Sequence, residues 1–262
     1  MITGMALIER DGAKLYYEDE GKETGRAPLV LVHGWTCFHG HLAPQAAHFS
    51  PGRRVVSVDL RGHGQSDVTP PFTIEQFADD VAWLIGELGL DRPVGVGHSM
   101  GGNIVVQVAV TRPGLVRGVV AIDSPFSERG GLDEVTGPLR DALSGPGYEA
   151  TMTSMISAMF GPHDDPAVAK EIRAVMSTAP QQVAVDAITS VMGWAGADAV
   201  RACTVPVLTI AAEAGGFGDV SSLKATAPML MTAQTVGAGH FNQVFVADQV
   251  NAMIDRFLSI IA

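Results

Sequence analysis

Pro93-Val94-Gly95-Val96-Gly97-His98-Ser99-Met100-Gly101-Gly102 is the stretch that decides the reading of this chain. Its first four residues are a short apolar run with the character of a buried strand. Residues 102–110 are small and apolar, with no proline before Pro113, as a buried helix requires. A strand, one sharp turn and a helix form the context that makes G-x-S-x-G a nucleophile elbow and not a chance string. The turn forces Ser99 into strained backbone geometry, while Gly97 and Gly101 let strand and helix cross closely. The hydroxyl then stands at the end of a sheet, beside the positive end of a helix dipole. Ser99 is the expected nucleophile.

Apolar runs recur on both sides of the elbow, at 29–32, 55–58, 94–96, 119–122, 205–211 and 229–235. Helical patterns fall between most of them. Residues 74–88 place Phe77, Val81, Leu84 and Ile85 on one face, and 103–110 follow the elbow. Residues 243–261 place Val246, Val250, Ile254, Phe257 and Leu258 at helical spacing. Strands alternating with helices predict an α/β fold, a mostly parallel twisted sheet with helices on both faces. Before it, residues 6–18 alternate apolar and polar around Asp11-Gly12, a hairpin signal.

Residues 124–204 break the alternation, being helical in pattern throughout. Gly-Pro pairs at 137–138, 145–146 and 161–162 are expected to separate short helices. Met152, Met155, Ile156 and Met159 fall on one helical face, with Phe160 beside them. Such a stripe serves equally to pack this segment on the core and to roof an apolar pocket.

Composition narrows the function. Of 262 residues, 47% are hydrophobic and 17% charged, which suits a well-buried core and excludes disorder. A net charge of −11 argues against nucleic acid, whose phosphates need clustered Lys and Arg. Cys37 and Cys203 are too few for a disulfide framework. Cys37 reads as a small buried residue near the site. Glu9, Arg10 and Asp11 stand where a signal peptide needs an apolar run, and no stretch has the length of a membrane span. The expected location is the cytoplasm.

Three further stretches resemble the α/β-hydrolase superfamily, and with the elbow they cover almost the whole chain in the family's order. Leu29-Val30-Leu31-Val32-His33-Gly34-Trp35 looks like its strand and H-G oxyanion loop. Asp59-Leu60-Arg61-Gly62-His63-Gly64-Gln65-Ser66 looks like its structural D-x-R-G-x-G-x-S turn. Gly237-Ala238-Gly239-His240-Phe241 looks like the loop that carries the catalytic histidine. The resemblance implies serine-histidine-acid chemistry with His240 as base, a core of 1–123 and 205–262, and a helical cap over 124–204. The other histidines compete weakly; His39 and His41 have no carboxylate near them in sequence, so a metal site there is not expected. The oxyanion needs two preorganised amides. Met100 supplies one in this fold, and Trp35 the other by resemblance.

The acid departs from the common pattern. Relatives usually carry P-x-L-x-I-x-G-x-x-D after the cap, but here Gly215 holds the position of that Asp, with Glu213 two residues early and Asp219 four late. A subset of the family, including zearalenone hydrolase and the cofactor-free quinolone dioxygenases, places the acid after the strand that follows the elbow helix. Ile122-Asp123-Ser124 stands there, so Asp123 is favoured, with Glu213 and then Asp219 as alternatives. The expected activity is hydrolysis of a carboxylic ester or lactone of an apolar small molecule, without metal or organic cofactor. The expected pocket is lined by Trp35, Cys37, Phe126, Met155 and Met159. No nucleic acid or membrane partner is expected, and a homodimer is left open. The alternative activity is cofactor-free dioxygenation with the His/Asp dyad. Relatives acting on haloalkanes or epoxides use an Asp nucleophile where this chain has Ser99.

Overall fold

The computed structural model describes residues 2–128, 133–213 and 221–262. At its start, β1 (Ile2–Arg10) and β2 (Ala13–Glu20) form the antiparallel hairpin predicted around Asp11-Gly12. Both turn residues have positive φ, 50° and 75°, as a two-residue hairpin turn demands. The following strands are β3 (Leu29–Val32), β4 (Val55–Val58), β5 (Val94–His98), β6 (Gly118–Ile122), β7 (Val207–Ala211) and β8 (Leu230–Gln234). The described strands make one eight-stranded sheet, ordered β1-β2-β4-β3-β5-β6-β7-β8. The β2–β4 pair is antiparallel, and every pair from β4 onward is parallel.

The helices are α1 (Ala43–Phe49), α2 (Ile74–Glu87), α3 (Met100–Thr111), α4 (Asp133–Ser144), α5 (Tyr148–Ser157), α6 (Pro166–Met176), α7 (Gln181–Gly193), α8 (Gly196–Ala202), α9 (Ser221–Lys224), α10 (Asn242–Phe245) and α11 (Ala247–Ile260). Strand side chains alternate between the two faces of the sheet. Val30, Val32, Val56 and Val58 pack with Phe77, Val81 and Leu84 of α2 and Ile104 and Val105 of α3. Leu29, Leu31, Val55, Val94 and Val96 pack with Phe49 of α1 and Val250, Ile254 and Phe257 of α11. Both faces are therefore covered, which is why these strands read as unbroken apolar runs. Each such buried side chain stabilises the fold by roughly 1.5–3 kcal/mol. The Thr73 hydroxyl caps α2 by accepting the Gln76 amide at 3.2 Å.

Three expectations change. The last helix is broken at Val246 (φ −130°, ψ 49°), giving α10 and α11. Val246 is β-branched and a weak helix former, and its carbonyl restarts the helix by accepting the amides of Gln249 and Val250. Gly137-Pro138 does not separate helices, because Pro138 lies inside α4. It sits early in that helix, and the carbonyl it deprives of a partner belongs to the first turn. Met152, Met155 and Ile156 lie in α5, but Met159 lies beyond its end, with its amide turned back to the Ile156 carbonyl. Among the described residues, no single helix is long and apolar enough to cross a membrane.

Candidate active site

The adjacent parallel strands β5 and β6 end in the same way. Ser99 follows β5 with φ 53° and ψ −122°, and Asp123 follows β6 with φ 44°. Positive φ is costly for residues with a Cβ, on the order of 1–3 kcal/mol, and persists where surroundings dictate it. Here the surroundings are the next strands. The Ser99 amide donates to the Ile122 carbonyl at 2.8 Å, and the Asp123 amide to the Ile210 carbonyl at 2.8 Å. The elbow also requires its glycines. A Cβ on Gly101 would lie 2.0 Å from the Val32 carbonyl oxygen, and one on Gly97 would meet the Gly101 carbonyl at 2.2 Å.

The carboxylate of Asp123 reaches His240. Its Oδ2 lies 2.6 Å from His240 Nδ1, and its Oδ1 accepts the Ala212 amide at 3.0 Å. Both residues are buried. A carboxylate partner makes Nδ1 the donor, which leaves Nε2 as the basic nitrogen. The backbone of His240 is held at both polar atoms. Its amide donates to the Met159 carbonyl at 2.8 Å, and its carbonyl accepts from His98 Nε2 at 2.9 Å. Burial, then the neighbouring His240, hold His98 well below the ordinary imidazole range, so its ring is neutral. Glu213 is exposed and accepts the Gly237 amide at the far end of the histidine loop. Asp219 lies outside the described residues.

The loop after β3 faces the elbow: a Cβ on Gly34 would lie 3.1 Å from Ser99 Cβ. His33 Nδ1 donates to the Gly34 carbonyl at 2.8 Å, and its Nε2 accepts the Leu60 amide at 3.0 Å. Burial, then the charge of His63, lowers the His33 pKa to about 3, so this neutral tautomer persists. The Gly34 carbonyl also accepts the Cys37 amide at 3.2 Å. A planar trans peptide turned this way points the Trp35 N–H in the opposite direction. Among the described residues, neither the Trp35 nor the Met100 amide donates a hydrogen bond.

The Asp59 turn is a scaffold. Asp59 accepts the His39 and Gln65 amides at 2.7 and 2.8 Å, and a Cβ on Gly64 would lie 2.1 Å from its carboxylate. Arg61 forms a buried two-point ion pair with Asp80 at 2.5 and 2.8 Å. His39 is corrected here: although no carboxylate neighbours it in sequence, the fold brings Asp59 to 2.8 Å and Glu18 to 3.2 Å from its ring nitrogens. Burial pulls its pKa down, but the two carboxylates outweigh that and leave it raised. No cluster of three or more His, Cys, Asp or Glu suited to a metal occurs among the described residues.

Of the five residues expected to line a pocket, Trp35, Cys37 and Met159 are buried in one apolar cluster with Met100, and Phe126 and Met155 pack against it. The Trp35 indole is engaged as a strut, donating to the Ala184 carbonyl of α7 at 2.8 Å. Burial pushes the Cys37 thiol far above its ordinary range, which keeps it unreactive. A cavity of about 430 Å³ lies between the loop after β3 and the α6–α7 link, lined by Thr36, Cys37, Phe38, His63, Val175 and Pro180.

Sequence reasoning did not single out Asp164. Its carboxylate accepts the Gly161 amide at 2.8 Å and the Gly239 amide at 3.1 Å. The only local signal is its place in a Gly-Pro turn just before Asp165, which caps α6.

Residues 29–252 match the alpha/beta hydrolase family, and the chain belongs to it. It is 30% identical over 236 residues to 2-(acetamidomethylene)succinate hydrolase of Mesorhizobium japonicum, covering 84% of each chain. It is 32% identical over 132 residues to an sn-1-specific diacylglycerol lipase of Danio rerio. That match spans 46% of this chain and 42% of the lipase, less than half the length of either. The enol-lactonase of Burkholderia xenovorans LB400 shares the fold with a TM-score of 0.85 at 24% identity, over 97% of this chain and 100% of that one.

Proposed function

We propose that this protein is a serine hydrolase that cleaves a carboxylic ester or lactone of an apolar small molecule. Ser99 attacks the carbonyl carbon while His240 Nε2 takes its proton, and the amides of Met100 and Trp35 stabilise the oxyanion. Asp123 holds the imidazole tautomer and balances the imidazolium charge. The proton passes to the alkoxide leaving group, and an acyl-Ser99 ester remains. His240 then deprotonates a water, which attacks that ester and returns Ser99. In a lactone the leaving hydroxyl stays tethered to the acyl group. Residues 124–204 act as a cap, and its apolar underside with Trp35, Cys37, Phe126, Met155 and Met159 selects uncharged groups.

The observation that carries this reading is the 2.6 Å Asp123–His240 pair, with Asp123 on the strand end next to that of the strained Ser99. The names of relatives as lipase, lactonase and hydrolase support it. The test sets p-nitrophenyl ester and lactone hydrolysis, with phosphonate labelling of Ser99, against oxygen uptake with a 3-hydroxy-4-quinolone. Labelling with hydrolysis upholds the reading. Oxygen uptake without labelling replaces it with the dioxygenase, in which His240 deprotonates the substrate.

A further inference from the structure

The link between α5 and α6 grips the histidine loop. The Met159 carbonyl accepts the His240 amide at 2.8 Å. The two carboxylate oxygens of Asp164 then divide between the segments: Oδ2 accepts from Gly161 in the link, Oδ1 from Gly239 in the histidine loop. Gly161 and Gly239 stand back to back, and a Cβ on Gly239 would lie 2.4 Å from the Gly161 nitrogen. Beside them Phe160 stacks on Phe241 at 5.5 Å and 14°, and the Arg173 guanidinium covers Phe160 at 4.4 Å. Asp164 itself is only 9% exposed.

A carboxylate withdrawn this far from water between two amides is a strong and directional tie. The link has a closure besides the carboxylate, because the Asp164 amide donates to the Gly161 carbonyl at 3.3 Å. What the second oxygen adds is a hold on Gly239, the residue before His240. The peptide that leaves Gly239 carries the His240 amide, so its placement sets how the imidazole approaches Asp123.

We propose that Asp164 is a positioning residue: it fastens the helical segment to the histidine loop, so that His240 keeps its bond to Asp123 only while this end of the segment is docked. The inference rests on His240 being the base. It makes the α5–α6 end of the cap a fixed anchor of the catalytic centre, not a part that swings away.

The test compares Asp164→Ala, Asp164→Asn and Asp164→Glu in the full chain. Thermal midpoint, phosphonate titration of competent sites, kcat, KM and the pH profile are measured for each. Asp164→Ala should lower kcat per competent site about tenfold to a hundredfold, as small misplacements do, with KM within about twofold. The acidic limb of the profile should move to lower pH, because an imidazolium less well paired with Asp123 loses its proton more readily. Asn, with one acceptor oxygen, should fall between Ala and wild type, and Glu should recover part of the loss. A lowered thermal midpoint with unchanged kcat per site and an unmoved acidic limb overturns the proposal. The downfield Nδ1 proton of His240, read by NMR, tests the clamp without substrate. It should shift or broaden in Asp164→Ala, and an unaltered signal also overturns the proposal. A failure of the hydrolase reading is separable, because it shows in wild type as no hydrolysis and no labelling.

Discussion

Ser99 and Asp123 stand on the ends of adjacent strands, whereas His240 hangs from a loop, and the two situations are held by different means. At the strand ends, each amide is tied to the carbonyl of the next strand at 2.8 Å, and positive φ turns each side chain out of the sheet. Their separation is therefore set by the spacing of parallel strands, roughly 4.8 Å. The loop has no such frame. Its hold comes from His98 beside the elbow, from Met159 and Asp164 beyond α5, and from Gln249 of α11, which meets both polar backbone atoms of Val236 at 2.9 and 3.0 Å. The proposed nucleophile and acid are built on the sheet, and the proposed base is suspended between two parts of the molecule.

The largest break in this comparison comes from the first strand end. Ser99→Ala should lower ester turnover by about four to six decades while leaving the fold intact, measured by kcat and thermal midpoint together. Retention of most of the activity would remove Ser99 from the chemistry altogether. The second strand end comes next. Asp123→Asn keeps the shape but removes the charge that sets the tautomer, and should cost up to about four decades in kcat. Glu213→Gln should cost about tenfold or less, because its carboxylate meets Gly237 and not the imidazole. The reverse ranking would transfer the acid to the exposed loop.

These differences also explain what could be read in the chain. Strands β3 and β4 begin and end where the apolar runs do, and the hairpin turns on Asp11-Gly12, because buried strands and primed turns leave local marks. The elbow was legible for the same reason: its glycines are demanded by contacts within one strand-turn-helix unit. The partners of His39 were not, since Glu18 comes from β2 and Asp59 from the turn after β4, and only the fold brings them to one imidazole. Asp164 was hidden likewise, with Gly239 lying 75 positions away in sequence. The break at Val246 carries no Pro or Gly to announce it, because the chain there follows tertiary packing.

Buried histidines around the two regions set the response to acid. His33 is lowered to about 3, His41 and His63 to about 4, and His98 well below its ordinary range, burial being the first cause of each. The unfolded chain binds these protons near 6.5, so each lowered group contributes stability above that value and loses it as pH falls toward the folded value. Every such imidazole costs about 1.4 kcal/mol per pH unit over that interval. His39 runs the other way: raised by its carboxylates, it stabilises below 6.5 and its contribution fades as pH rises through its folded value. The four lowered groups outweigh the one raised, so the thermal midpoint should drop steeply between about pH 6.5 and pH 4. Calorimetry across that range checks it. A flat midpoint would mean that these rings are not held neutral.

The smallest expected effect separates two methionines of the helical segment. Met155 is half-buried in α5, whereas Met159 lies past its end, is 7% exposed, and gives its carbonyl to the His240 amide. Removing the Met155 side chain takes apolar surface from the helical segment without touching the histidine. Met155→Ala should raise KM a few-fold for long apolar esters, at about 0.8 kcal/mol per lost methylene contact, and leave kcat on the smallest ester within about twofold. Met159→Ala opens a cavity beside the histidine loop, costing about 2–5 kcal/mol of stability, and the loop can relax into it. Its kcat should therefore fall on every ester, the smallest included. Steady-state kinetics on an ester series distinguishes the two patterns. If Met159→Ala changed KM alone, the Met159 side chain would have no part in holding the loop, whose hold would then rest on the Met159 carbonyl, Asp164, Gln249 and His98.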